Sequence, residues 1–130
     1  MKQTIIFVFL FCISPIQVFS QSRVGLRFDG LYQSVSESDS RHFLRFYSDS
    51  TVISVTSTGE ATDVIKWLKK PYDDQGKFEI KGNRIYFTTT SSYGTVVYEG
   101  LIDTEYKLIL KVKSLINGHL SEELFYFIKL

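Results

Sequence analysis

From Phe28 to Leu130 the sequence runs in short stretches of alternating apolar and polar residues, broken by Gly, Asn, Asp and Ser. A two-residue period puts successive side chains on opposite faces of an extended chain, so the pattern predicts strands with one buried face. Eight are expected, over 28–35, 41–48, 51–57, 77–81, 84–89, 95–102, 106–114 and 121–129. One segment departs from this period. Ala61, Val64, Ile65 and Leu68 recur at helical spacing after Thr58-Gly59-Glu60, and Pro71 closes the run.

A one-residue slip in pairing moves every side chain to the other face, so the turns can be tested against the charges. Lys77, Glu79 and Lys81 should point outward, which turns Phe78 and Ile80 inward. A two-residue turn at Gly82-Asn83 then pairs Ile80 with Ile85 and Phe78 with Phe87. A turn at Asp49-Ser50 pairs Phe46 with Ile53 and Leu44 with Val55. In 106–114, Lys107, Lys111 and Lys113 point out, beside Glu99 and Glu123, while Tyr106, Leu108, Leu110 and Val112 point in. For the last hairpin a five-residue loop, 116–120, sets Val112 opposite Leu124, Leu110 opposite Tyr126 and Lys113 beside Glu123. An Asn117-Gly118 turn with a bulge is the alternative.

Consecutive strands joined by short turns form a meander, and closing the meander removes its edges. The expected fold is all-β: an eight-stranded antiparallel up-and-down barrel with one short α-helix between strands three and four. That helix either covers an open end or packs on the outer wall through Val64, Ile65 and Leu68.

The first twenty residues stand apart. Lys2 is a short positive region, Ile5 to Ile13 is apolar up to Ser14-Pro15, and Val18 and Ser20 suit a cleavage site. This predicts a signal peptide over 1–20, cleaved near Ser20-Gln21, and a periplasmic or extracellular protein. The apolar run is too short to span a bilayer, and a retained N-terminal anchor is the alternative. Phe11 before Cys12 argues against lipidation. One domain over 21–130 remains, 110 of the 130 residues, with no transmembrane segment. Cys12 is the sole cysteine, so a core rather than a disulfide must hold the domain. Lys+Arg number 15 against 14 Asp+Glu. That balance argues against a nucleic-acid partner, whose grip needs clustered positive charge.

Little in the chain has the spacing of catalytic or metal chemistry. The two histidines, His42 and His119, are distant in sequence, and Asp73-Asp74 and Glu122-Glu123 lack calcium-loop spacing. No metal or other cofactor is expected. A triad could draw on His42, Asp29 and one of many serines, but nothing in the spacing selects one.

Gly30-Leu31-Tyr32 is similar to the Gly-x-Trp of lipocalin-type (calycin) barrels, with Tyr in place of Trp. The family's arginine after the last strand has no counterpart, since only Lys129 and Leu130 stand there. The layout resembles that family over about 100 residues, which implies a secreted barrel holding small apolar molecules. The run Phe46-Tyr47-x-Asp49 with Val52-Ile53-Ser54 also resembles small bacterial secreted proteins, which implies an envelope or extracellular setting and no particular activity.

Two functional readings follow. In the first the protein is a non-enzymatic, lipocalin-like binding module for a small apolar or amphipathic molecule. Tyr32, Tyr98 and Tyr126 supply polar contacts, Phe46 and Phe87 the apolar wall, and Trp67 a lid. A filled interior, with the hydroxyls reaching the barrel ends or backbone carbonyls, is the competing expectation. In the second reading Leu31, Val35, Phe43, Tyr47, Phe125 and Phe127 form one outer apolar patch. There Phe43, Tyr47, Phe125 and Phe127 bind an envelope protein or a second copy of the chain. A hydrolase comes third.

Overall fold

The computed structural model describes residues 25–35, 38–70 and 74–130. The expected leader with its expected cleavage position, Cys12, and Pro71 lie outside them. The strands are β1 (Gly30–Ser34), β2 (Arg41–Phe46), β3 (Thr51–Ser57), β4 (Gln75–Lys81), β5 (Arg84–Ser91), β6 (Gly94–Thr104), β7 (Lys107–Ser114) and β8 (Leu120–Lys129). The helix α1 (Ala61–Val64) lies between β3 and β4. Each strand pairs antiparallel with the next, and β1 pairs with β8, so the sheet closes into a barrel in sequence order. Closure brings β1 and β8 very near. A Cβ at Gly30 would lie 2.0 Å from the Ile128 carbonyl oxygen, which leaves room only for glycine.

The β4–β5 hairpin has the expected register, with Phe78 opposite Phe87 and Ile80 opposite Ile85 around Gly82-Asn83. Two other hairpins do not. Between β2 and β3, Phe46 faces Val52 and Leu44 faces Ser54, rather than Ile53 and Val55. Tyr47 closes the hairpin by donating to the Thr51 carbonyl, Ser50 takes a positive φ of 75°, and the Asp49 carboxylate accepts from the Thr51 amide. The loop is therefore one residue longer than a two-residue turn, and Ser54 rather than Ile53 turns inward.

Between β7 and β8, Leu110 faces Glu123 and Val112 faces Ser121. The Ser114 amide bonds the His119 carbonyl, and Gly118 adopts a φ of 76° and donates back to Ser114. This four-residue loop matches neither expected register. It reverses the faces of β8: Phe125 is fully buried and Glu123 points inward, whereas Leu124 and Tyr126 are exposed. Lys111 is thus flanked outside by Glu99 and Glu122, not by Glu123. Tyr106, expected inside, sits exposed in the β6–β7 turn.

The described residues form two apolar clusters. The inner one fills the barrel with Tyr32, Leu44, Phe46, Val52, Ile85, Phe87, Tyr98, Ile102, Leu108, Leu110, Val112 and Phe125. Aromatic rings form a column through it. Tyr32 meets Phe46 edge-on at 5.5 Å, Phe46 meets Phe87 at 5.5 Å, and Phe87 stacks on Tyr98 at 4.4 Å. The outer cluster joins Leu31, Phe43 and Ile53 to Ala61, Val64 and Leu68, with Tyr47, Val55, Ile65 and Ile128 around them. The helical segment therefore covers the outer wall of β1–β3 and caps neither end. Arg45 and Tyr47 both bond the Leu68 carbonyl, and Lys70 pairs with Asp49, which fixes this cover.

One end of the column is plugged. The Tyr32 hydroxyl donates to the Glu105 carbonyl at 2.6 Å and accepts from the Arg27 amide at 2.9 Å. Burial pushes its pKa up to about 12. The Arg27 guanidinium lies over the rings of Tyr106 and Phe127, 5.4 and 5.1 Å from their centroids, and pairs with Asp29 and Glu105.

Candidate functional site: the open end of the barrel

At the opposite end the column stops at the Tyr98 hydroxyl, and a recess of about 210 Å³ opens above it. The inward register of β2, β3 and β8 brings His42, Ser54, Ser121 and Glu123 to its wall, with Ser114 from the end of β7 and Asp74 and His119 from the connecting segments. A hollow of about 360 Å³ adjoins it and shares His42, Thr56, His119, Ser121 and Glu123, adding Val35 and Arg41.

The polar groups form one connected network. His42 Nε2 lies 2.7 Å from Ser54 Oγ and 2.9 Å from Tyr98 Oη, and those two oxygens are 3.1 Å apart. On its other side His42 Nδ1 lies 3.4 Å from Glu123 Oε1, and Ser121 Oγ donates to Glu123 Oε2 at 3.1 Å. A carboxylate at Nδ1 favours the tautomer that carries the proton there, leaving Nε2 to accept from a hydroxyl. The backbone anchors the ring too, since the His42 amide donates to Ser34 Oγ at 2.9 Å.

The environment sets the charges. The hydrogen bond from His42 holds the Glu123 carboxyl below its ordinary value, against the opposing effect of burial. Burial raises the Tyr98 hydroxyl well above its ordinary value, so it stays a neutral donor, although its Ser54 bond works the other way. Near enough to Tyr98 to lower its pKa, the fully buried Thr89 hydroxyl finds no partner at good hydrogen-bond geometry among the described residues. Such a group costs about 1–3 kcal/mol unless something else satisfies it.

Glu123, His42 and Ser54 stand in the order of an acid, a base and a nucleophile. Ser54 is 2% exposed, its hydroxyl lies between two partners, and its amide donates to the Asp74 carbonyl. That amide is therefore unavailable to a developing oxyanion. Among the described residues no group of three or more His, Cys, Asp or Glu could hold a metal ion.

The rim contrasts with the floor. Val35 after β1, Tyr93 in the β5–β6 turn, and Leu115, Ile116 and Leu120 in and after the β7–β8 turn are all exposed. At the plugged end the β2–β3 and β4–β5 turns carry Ser48-Asp49-Ser50 and Gly82-Asn83, while Phe28, Ile80, Tyr106 and Leu130 are exposed there.

Of the residues expected to form a pocket, Tyr98 alone reaches this recess. Phe46 and Phe87 are buried in the column, and Tyr32 faces the plug. Tyr126 lies 43% exposed on the outer wall, under Lys107, because of the β8 register. Trp67 is 49% exposed beside Gly59 on the helical cover, and is no lid. The expected outer patch is likewise dispersed. Phe43 and Tyr47 lie under the helical segment, while Phe125 and Phe127 point into the barrel.

The fold and site define a closed eight-stranded antiparallel barrel with one plugged end and one polar, open end. Compared with protein-family models, curated proteins and solved structures, the chain matches none. Among the described residues no helix is long and apolar enough to cross a membrane.

Proposed function

We propose that the protein is an exported binding module for a small amphipathic molecule, seated in the open end of the barrel. The observation that carries this reading is the contrast between the His42–Ser54–Tyr98–Glu123 floor and its exposed apolar rim. A polar head reaches the floor, and an apolar tail lies across Tyr93, Leu115, Ile116 and Leu120. Small-molecule sites combine apolar walls with a few convergent polar groups in this way. The filled column below favours an amphipathic ligand held at the mouth over an apolar one enclosed in the barrel.

Native mass spectrometry tests the reading. Protein produced through a secretory route should carry a stoichiometric small-molecule adduct that is released on denaturation. Leu120→Ser and Tyr98→Phe should each lower its occupancy. A chain that is bare in wild type and takes up no added amphiphile overturns the proposal.

A further inference from the structure

The floor of the recess holds more acceptor sites than protons. An ionised carboxylate offers about four lone-pair sites, and in Glu123 His42 and Ser121 occupy two of the oxygens' positions. Ser54 and Tyr98 bring one hydroxyl proton each to the three contacts that join them and His42 Nε2. With Nε2 accepting, at least one hydroxyl oxygen keeps a free lone pair. A head group entering here must therefore donate, and it gains most if it also accepts when the Ser54 or Tyr98 hydroxyl rotates toward it.

From this we infer that the ligand's head is a neutral polyol, a glycerol- or sugar-like group whose hydroxyls bond Glu123, Ser54 and Tyr98. The inference rests on the binding reading above and narrows its ligand class. A carboxylate head has no proton to give and meets the Glu123 charge. An ammonium head can give protons to Glu123 but cannot accept from the Ser54 or Tyr98 hydroxyl, and it shares the adjoining hollow with the Arg41 cation. A hydroxyl does both tasks without carrying a charge out of water.

Calorimetric titration of the exported protein with three eight-carbon amphiphiles, each below its micelle threshold, separates these cases. Octyl glucoside should bind at least about tenfold tighter than octanoate or octylammonium, the factor set by one well-made hydrogen bond. Glu123→Gln should weaken the glucoside about tenfold and narrow its lead over octanoate. Tyr98→Phe, which keeps the ring, should weaken the glucoside without reversing the order. Octanoate or octylammonium binding as tightly as the glucoside overturns the polyol inference and leaves the amphiphile reading standing. If none of the three binds, both fail.

Discussion

Glu123 reaches from β8 to set Oε1 3.4 Å from Nδ1 of His42 on β2, with β1 between the two strands. The contact exists only because the barrel closes and the β7–β8 loop has four residues. It joins the C-terminal hairpin to the first one across the mouth of the recess.

This pairing gives stability a pH dependence. Glu123 has a lowered native pKa against an ordinary value of 4.5, so it contributes stability that is fully present above 4.5. The contribution is lost as pH falls through the lowered native value, where the carboxyl takes up a proton in the folded state as well. Urea unfolding at pH 7 and pH 3 should show a larger acid loss for wild type than for Glu123→Gln. The carboxylates outside the recess titrate in both proteins and cancel in that comparison. Equal losses would remove the His42–Glu123 pair from the account.

The plugged end makes a separate prediction. Tyr32 is fully buried, and its hydroxyl satisfies both the Glu105 carbonyl and the Arg27 amide. Tyr32→Phe keeps the ring and strands those two backbone groups, so it should cost about 1–2 kcal/mol in urea unfolding. Amphiphile binding should be untouched, because the recess lies at the other end of the aromatic column. A stability loss accompanied by equal loss of binding would mean that the two ends are not separate.

The β8 register is tested by neighbouring aromatic residues. Phe125 is fully buried in the inner cluster and Tyr126 is 43% exposed on the wall. Phe125→Ala should therefore cost about 3–5 kcal/mol, by lost transfer energy and the cavity left behind. Tyr126→Ala should stay within about 0.5 kcal/mol. The opposite order in denaturation midpoints would restore the register expected from the sequence.

That pair also shows what the sequence could and could not reveal. Period-two alternation located all eight strands, and the charges of 77–81 gave the β4–β5 register, because a Gly-Asn turn admits few alternatives. Loop length elsewhere was ambiguous. Ser50 takes a positive φ without being glycine, which lengthened the β2–β3 loop beyond what its residues suggest. Near Gly118 a one-residue choice decides which face of β8 is inside, and apolar residues occupy both faces there. Alternation alone therefore puts Glu123 outward and leaves the recess without its carboxylate. His42 offered one usable signal, since it shares the inward parity of Leu44 and Phe46. The apolar outer faces of β1–β3 were legible as a patch, but only tertiary packing shows that the chain covers it itself.

That cover supports the last prediction. Leu68 is fully buried against Leu31, Phe43 and Ile53, and its carbonyl receives Arg45 and Tyr47. Leu68→Ser removes the anchor yet leaves the inner cluster intact, so the barrel should stay folded while the helical segment loosens. The wall beneath is apolar and contiguous, a surface that folded monomers seldom expose. The variant should bind the dye ANS more strongly than wild type and should shift toward dimer in sedimentation at rising concentration. Far-ultraviolet circular dichroism should change little, because α1 contributes only four helical residues. If Leu68→Ser stays monomeric with wild-type dye binding, the segment is not what keeps the outer wall from association.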